Sequence, residues 1–417
     1  MSGEAHGEGV GLVLAGGGAR GAYEVGVLSA LLPALAPQEW PSLVLGTSVG
    51  ALNAAWIAAH VHEPVDELVV QAKAVYETLE WDQVLAPPWS PTSISNAARY
   101  ALGAFGIRRA RVPALLDPAP LVQTLARLIP DFDQIARNIA DPGCRLSCAA
   151  VVATSALTSR SVVFHQGGVP EAAHDRNRGI DYAAAALTAE HVRASAAIPG
   201  VFPAVHVDSE PGRGWYFDGG TRLNTPIKPA LWLGAERVIA IGLNSIAAGP
   251  DEPLADEHQP DLFAGFGQIL VGLLADPLAH DIQTLAGLNS IAAGGTADAD
   301  TKVVPYMFIA PESRDTIGAL AAEVFRERYR NAGFFKRRSP ELAVLGRALE
   351  GDFAAANGEL LSYLFFDPEF GRALIAQGRA DGERWVKAAH DDGLWQHGPL
   401  PLAGSSAEAA AAAATPA

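Results

Sequence analysis

Two strand–glycine turn–helix units lie within the first 60 residues and constrain the fold more than any other feature. The first, VGLVLAGGGARGAYEVGVLSALLPAL, predicts a buried strand over Val10–Ala15 and a packed helix over Tyr23–Leu35. The second predicts a strand over Leu43–Leu45, a turn at GTSVG and a helix over Ala51–His60. Such units in succession indicate an α/β sheet with right-handed crossovers. Adjacent parallel strands would bring both glycine turns to the same edge of that sheet.

The composition argues against several classes of protein. The 417 residues are 49% hydrophobic and 18% charged, which is typical of a globular chain with one large or two smaller domains. The formal net charge of −16 argues against general binding of nucleic acid, because a phosphate backbone needs a basic surface. The one compact basic cluster, Arg108, Arg109 and Arg111, is interpreted as a solvated face rather than a lipid contact. Cys144 and Cys148 have neither redox nor zinc-site spacing, so we expect two reduced core thiols.

The chain changes character after the second unit. Residues 62–142 are helical in pattern and rich in proline and aromatic residues, which predicts an insertion or cap over the sheet. Strand patterns return on both sides of Thr158 and again at Gly214–Phe217, Arg237–Leu243 and Val303–Ala310. The remaining sequence therefore adds further strands to the sheet.

The last part of the chain is predicted to be mostly helical over Thr316–Ala389, and the alanine-rich residues 404–417 are predicted to be disordered. The acidic start has no secretory signal, and the longest apolar stretch, Leu262–Ala275, is too short to cross a bilayer. These features predict a cytoplasmic protein. Leu262–Ala275 and the insertion are candidates for contact with a lipid surface or an acyl chain, with core packing as the alternative.

Gly46-Thr47-Ser48-Val49-Gly50 fits the pattern G-x-S-x-G between a predicted strand and a predicted helix. A nucleophilic serine on such a turn needs small neighbours, because the backbone is strained and other chains crowd it. The N–H groups at the start of a helix also favour a developing negative charge. The alternative is a serine N-cap in a glycine-rich bend.

The earlier turn, Gly16 to Gly21, fits G-x-G-x-x-G, a pattern also found in dinucleotide-binding proteins. That function needs an acidic residue after the second strand, whereas Glu39 precedes it. We therefore favour a different role, in which backbone N–H groups of this turn face an oxyanion formed over Ser48. Arg20 would add a cation suited to a phosphate or to the charged intermediate.

A serine nucleophile needs a base. Asp218 follows the apolar strand GWYF and is followed at once by Gly219-Gly220, which places a carboxylate at a strand end that other backbone can approach. The alternative is an Asp-Gly turn closing a hairpin. The histidines that could complete a conventional triad have no convincing strand-end position and are interpreted as surface residues: His258, His280, His390 and His397.

Four segments in this order, GGGARG, GTSVG, VRASAAIPGVFPAV and DGG, resemble the patatin-like phospholipase family over Gly9–Leu243. The resemblance implies a three-layer α/β/α fold with a central, mostly parallel sheet, a helical insertion and a helical C-terminal region. It implies a Ser–Asp dyad, with Ser48 as nucleophile and Asp218 as general base. No metal or cofactor is expected.

The resemblance also implies an oxyanion site, formed by Gly16, Gly17, Gly18 and Arg20. The remaining motif glycines are Gly21, Gly46, Gly50, Gly219 and Gly220. The chain has DGG where DGA is the usual form, a variation that the resemblance tolerates.

The function implied is that of a lipid acyl hydrolase that cleaves carboxylic esters of phospholipids or other acyl lipids. Alternatives are a small-ester hydrolase or acyltransferase on the same dyad, and a non-catalytic module that binds lipid or protein. We expect a catalytic domain over residues 9–243 with the insertion inside it. A mostly helical extension with one or more added strands would follow over residues 244–403.

Overall fold

The computed structural model of the chain describes residues 9–87, 90, 94–95, 114, 116–170, 173–245, 285–287, 289, 303–330, 342 and 354–398. Several sequence predictions fall outside these residues: the apolar stretch Leu262–Ala275, the basic cluster Arg108 to Arg111, His258 and His280, and the tail from residue 404.

The strands form one mixed sheet. Their bounds are β1 Val10–Leu14, β2 Leu43–Thr47, β3 Cys148–Ser155, β4 Ser161–Gly167, β5 His174–Asp175, β6 Ile180–Ala184, β7 Val205–Val207, β8 Gly214–Asp218, β9 Arg237–Ile241 and β10 Tyr306–Ile309. Among the described strands the order is β10-β9-β1-β2-β3-β4-β6-β5, with β8 beside β3 and β7 beside β8. From β10 to β3 all neighbours are parallel, while β4 and β8 run antiparallel to β3. The predicted mostly parallel centre is confirmed.

Helices lie between and after these strands. Their bounds are α1 Ala22–Leu31, α2 Val49–His60, α3 Val65–Thr78, α4 Ala119–Leu128, α5 Asp133–Ala140, α6 Ala189–Ser195, α7 Ile227–Trp232, α8 Thr316–Phe325, α9 Ala354–Leu364 and α10 Pro368–Lys387. In the described parts of the chain, no helix combines the length and the apolar character needed to cross a lipid bilayer.

Alternate residues of β1 face opposite sides of the sheet, as the period of a strand requires. Leu12 and Leu14 pack in a core that includes residues of α1, α2 and α10. Val13 packs in a second core on the other face, with Ile227 and Ala230 of α7. Helices therefore cover both faces, which gives the predicted three layers.

The observed bounds of α1 and α2 differ from the predicted ones. The helix predicted to reach Leu35 ends at Leu31, and a 3₁₀ turn follows over Leu32–Ala34. Pro33 in that turn has no N–H for an α-helical hydrogen bond, and its ring clashes with the preceding turn. The helix predicted to begin at Ala51 begins at Val49, directly after Ser48.

The C-terminal elements are part of the same body. β10 pairs with β9 at the sheet edge, and α10 packs across α1. The two helices approach closely at small residues: a β-carbon on Gly378 would lie 2.1 Å from the carbonyl oxygen of Tyr23. The Tyr23 hydroxyl also donates to Asp381 at 2.6 Å. Both cysteines are free thiols, with Cys148 buried in β3 and Cys144 half-buried.

Candidate active site

The two glycine turns meet at one edge of the sheet. β1 and β2 are parallel neighbours in register, with Leu14 beside Gly46 near their ends. The turns that follow them are therefore adjacent, and a β-carbon added to Gly16 would lie 3.0 Å from Cβ of Ser48. The predicted convergence of the two turns is confirmed.

Ser48 lies on a strained turn between β2 and α2. Its φ of 55° with ψ of −121° is a conformation that residues with a side chain rarely adopt. The neighbours have to be glycine, since a β-carbon on Gly46 would lie 2.0 Å from the carbonyl oxygen of Gly50. This is the geometry that presents a serine hydroxyl at the end of a strand and the start of a helix.

Asp218 reaches Ser48 through the register of three strands. Thr47 of β2 lies beside Val152 of β3, and the next residue, Ala153, lies beside Asp218 of β8. Asp218 is only 2% exposed, and its Oδ1 accepts a hydrogen bond from the Gly220 amide at 2.7 Å. A residue 170 positions after the serine is thus brought next to it by strand pairing alone.

Burial changes the chemistry of this carboxylate. Loss of solvent raises the pKa of Asp218 from 3.8 to about 7, although hydrogen bonds from the Ser48 side chain and the Gly220 amide partly lower it. The interaction with Ser48 links the two side chains directly. An aspartate with a pKa near 7 is a much better proton acceptor than an exposed one.

The amides of the first turn differ in what they can bind. The Gly16 N–H donates to the side chain of Asn224 at 3.0 Å and to its carbonyl oxygen at 3.3 Å. Gly16 was expected to donate to an oxyanion, but its N–H is already occupied by Asn224. Among the described residues, the N–H groups of Gly17 and Gly18 have no protein acceptor. Gly18 has a φ of 60°, a conformation that glycine adopts without strain.

Arg20 also differs from its expected role. Its Nε donates to Ser362 Oγ at 2.8 Å and its Nη1 to Asn244 Oδ1 at 2.9 Å. Nη2 donates to the carbonyl oxygen of Glu359 at 2.9 Å and lies 2.7 Å from the carboxylate of the same residue. The side chain is fully buried. The guanidinium thus binds the C-terminal region, and its donors are not directed at an oxyanion over Ser48.

Ser195 and Ala197 bind the backbone N–H groups of Ser48 and Asp218. The Ser48 N–H donates to Ser195 Oγ at 2.8 Å, and that hydroxyl donates to the Val152 carbonyl at 2.5 Å. The Asp218 N–H donates to the Ala197 carbonyl at 2.8 Å. Both residues belong to the segment VRASAAIPGVFPAV, whose sequence resemblance was the only signal that could have pointed to them.

An apolar pocket opens beside Ser48. Its lining comes from the first glycine turn, from Ser48 and the start of α2, from the 62–142 insertion, from α6 and the segment after it, and from the end of α9 and the residues that follow. The insertion contributes Val75, Leu79, Val84, Leu121 and Leu128. A second, smaller apolar cavity adjoins the first, with Leu52 and Leu128 in both walls. The insertion therefore borders the site, as expected if it contacts an acyl chain.

The alternatives considered for the sequence have other positions in the structure. Glu39 precedes β2 and accepts from the Trp395 ring N–H at 2.8 Å, so it does not lie at the end of the strand where a ribose would bind. His390 bonds to the Trp385 carbonyl at 2.8 Å, and the His397 amide donates to Asp391. Neither histidine lines the pocket.

A second buried carboxyl lies close to the first turn. Glu24 accepts a hydrogen bond from Asn53 Nδ2 at 2.7 Å, and Asn53 in turn accepts from the Tyr76 hydroxyl at 2.8 Å. Burial raises the pKa of Glu24 to about 8. At neutral pH it is mostly protonated and adds little negative charge to this region.

A mostly parallel sheet between helices, with a serine on a strained strand-to-helix turn beside a buried carboxyl at one edge of the sheet, defines the chain as an α/β protein of three layers. The family model described as patatin-like phospholipase matches residues 12–231, more than half of the chain. The chain belongs to this family, which supports lipid acyl hydrolase activity in general terms.

Among solved structures, the chain is similar to the crystal structure of VipD from Legionella pneumophila. The two are 14% identical, the match covers 86% of this chain and 67% of that one, and the TM-score is 0.31. No curated protein matches the sequence significantly.

Proposed function

We propose that the protein is a lipid acyl hydrolase that cleaves carboxylic esters through an acyl-enzyme on Ser48, with Asp218 as the general base. The observation that carries this proposal is the pairing of the Ser48 hydroxyl with a buried carboxyl whose pKa is raised to about 7. The strained turn at Ser48 and the apolar pocket beside it support the same chemistry.

In the first step, Ser48 Oγ attacks the ester carbonyl carbon, and its proton passes to Asp218. The carbonyl electrons move to oxygen and form a tetrahedral oxyanion. The N–H groups of Gly17 and Gly18 are the proposed donors to this oxygen, because within the described residues they are not used by the protein itself. The oxyanion then collapses, the ester C–O bond breaks, and the proton on Asp218 passes to the leaving alcohol.

In the second step, Asp218 takes a proton from a water molecule that attacks the acyl-serine carbonyl. A second tetrahedral oxyanion forms at the same donors and collapses to release the carboxylic acid. The Ser48 Oγ leaves and recovers its proton from Asp218. The atoms and protons balance without any further reactant, and the dyad is restored.

The apolar lining of the pocket favours a lipid over a small ester as the substrate. The cavity beside Ser48 and the one that adjoins it are both apolar, and together they border α2 from Val49 to Ile57. Burial of an acyl chain there gains about 0.8 kcal/mol per methylene. A small ester would leave most of this surface unused. Such a substrate resides in a membrane or micelle, so contact with a lipid surface is part of the proposal.

Labelling of Ser48 with a fluorophosphonate probe tests this function most directly. The protein should react with the probe and hydrolyse both phospholipid vesicles and long-chain p-nitrophenyl esters. Ser48→Ala should abolish labelling and lower turnover about a thousandfold or more, whereas Ser313→Ala, a change at an exposed serine, should alter neither. A folded protein that is not labelled would favour the non-catalytic binding module. Turnover of short esters without vesicle hydrolysis would favour the small-ester hydrolase.

A further inference from the structure

The segment bound by Arg20 forms a wall of the pocket. Just after the residues that bind the guanidinium, Tyr363, Leu364 and Phe366 line the same cavity as Ser48. The Tyr363 ring lies against the guanidinium, with 3.7 Å between Cζ of Arg20 and the ring centroid. One buried cation thus joins the first glycine turn to this wall.

The wall lies directly on the turn that carries the proposed oxyanion donors. A β-carbon on Gly18 would lie 2.2 Å from the carbonyl oxygen of Tyr363. Only glycine permits this approach, and its φ of 60° is also one that glycine adopts without strain. The position of the wall relative to Ser48 is therefore set by backbone packing as well as by Arg20.

The far end of the wall is also fixed. Asp367 caps α10, with its side chain accepting from the Glu369 amide at 2.8 Å, and it accepts from the Tyr329 hydroxyl at 2.6 Å. Phe365 is fully buried and stacks on Phe370 at 5.1 Å between ring centroids. Leu364 and Phe366 flank this anchored ring and face the pocket. A wall that is fixed at both ends can discriminate between ligands by shape.

We propose that Tyr363–Phe366 is the specificity-determining wall of the acyl pocket, and that Arg20 is the positioning residue that keeps this wall against the glycine turn. The proposal rests on the proposed function and names what selects its substrate, namely the length and bulk of the acyl chain. The wall lies far beyond residue 231, where the match to the family ends. Selectivity would then come from a region that the family match does not include.

Binding of saturated fatty acids tests the wall without any need for turnover. For the full-length protein, calorimetry with acids from eight to eighteen carbons should show affinity rising about fourfold per buried methylene up to a limit set by the wall. Phe366→Ala should move that limit to chains longer by at least two carbons. Leu157→Ala, a truncation at a 92% exposed leucine, should leave the limit where it is. An unchanged limit in Phe366→Ala, or no binding by the unaltered protein, would overturn the proposal.

The positioning role of Arg20 needs a measurement that a loss of folded protein would not mimic. Arg20→Lys keeps the charge but loses the forked donors, and Glu359→Gln removes the negative charge of one partner with less risk to folding. With kcat normalised to fluorophosphonate-titrated sites, both variants should raise KM for long esters more than for short ones. They should also reduce the fourfold rise in fatty-acid affinity per methylene. The pH dependence of kcat should not move. An equal loss for every ester would mean that Arg20 only stabilises the fold.

A matched control is Arg379→Lys, which alters an exposed ion pair with Glu383 on α10. It should keep the chain-length profile of the unaltered protein.

The outcomes of these experiments distinguish failure of the proposed function from failure of the proposed wall. If Phe366→Ala shifts fatty-acid binding but Ser48 is not labelled, the wall stands and the acyl hydrolase does not. If Ser48 is labelled and esters are cleaved with an unshifted profile, the hydrolase stands and the wall does not.

Discussion

At the scale of single residues, the environment of Asp218 explains how a carboxylate could replace a histidine as the base. An aspartate in water has a pKa near 4, too low to accept a serine proton readily. Burial raises the pKa of Asp218 to about 7, into the range in which histidine usually works. The sequence identified the residue, but its basicity depends on strands that exclude water around it.

This shift predicts the pH dependence of the proposed reaction. Asp218 must be ionised to accept the proton, and its ionised fraction rises with pH. We therefore expect kcat/KM to increase about tenfold per pH unit below about 7 and to level off above it. The same shift means that the native state binds more protons than the unfolded state between about 3.8 and 7, so the contribution of Asp218 to stability falls as the pH rises through that range.

Glu24→Gln tests whether the change in kcat/KM near pH 7 comes from Asp218 or from the other buried carboxyl. The pKa of Glu24 is raised to about 8, so its titration could otherwise be mistaken for that of the base. The pH–rate profile of this variant should keep its midpoint near 7 if Asp218 is responsible. A profile that is already flat from pH 5 upward would contradict the raised pKa of Asp218. An inflection lost with Glu24 would assign the titration to that residue.

At the scale of elements, the two strand–turn–helix units owe their position to close backbone contacts. Gly50, in the first turn of α2, packs on the end of β1. A β-carbon there would lie 2.4 Å from the carbonyl oxygen of Leu14 and 2.7 Å from that of Ala15. Two backbone atoms block the space, and neither can move without displacing the strand. The glycines of GTSVG are therefore needed for packing as well as for the turn.

Gly50→Ala should destabilise the protein because α2 must shift away from β1. Overpacking of this kind costs about 1–3 kcal/mol in the free energy of unfolding, measurable by denaturant titration. Gly287 is an exposed helical glycine, and within the described residues no atom outside its own helix lies within 4 Å of the point where a β-carbon would lie. Gly287→Ala should therefore leave the free energy of unfolding unchanged or raise it by up to about 1 kcal/mol. Equal stability of Gly50→Ala and the unaltered protein would mean that the contact relaxes freely.

Sequence patterns predicted where these elements lie, but they did not predict the contacts between the elements. The apolar runs and the glycine punctuation were enough to predict β1, β2, α1 and α2, apart from the early stop before Pro33. They could not predict that the Gly16 amide binds Asn224, because 208 positions separate the two residues. Nor could they predict that Ser195 binds the Ser48 amide, since that contact depends on how α6 packs against β3.

At the scale of the whole molecule, the C-terminal elements complete the core of the matched domain. α10 covers α1, β10 extends the sheet beside β9, and the partners of Arg20 come from Asn244 and α9. A chain that ends at Ser245 would lose β10 and α10 and would leave a fully buried arginine without most of its acceptors. Loss of a buried charge partner alone costs about 3–5 kcal/mol, a large share of the 5–15 kcal/mol typical of a domain.

We therefore expect the chain ending at Ser245 to be insoluble or to lack a cooperative thermal transition, with dye binding that reports exposed apolar surface. A chain ending at Gly398 keeps the described elements and should unfold like the full-length protein. Cooperative unfolding of the shorter chain near the full-length midpoint would instead support an independent domain over residues 9–243. That boundary and a cytoplasmic location both remain predictions.

The sequence by itself determined the local structure around Ser48, because hydrophobic period, glycine turns and helix starts are encoded in neighbouring residues. It also singled out Asp218, through a strand end followed by two glycines. Only the tertiary structure decided the role of Arg20, whose partners lie more than 200 positions away. It likewise decided the pKa of Asp218 and the walls of the pocket. These properties come from burial and from contacts between distant segments, which no local pattern records.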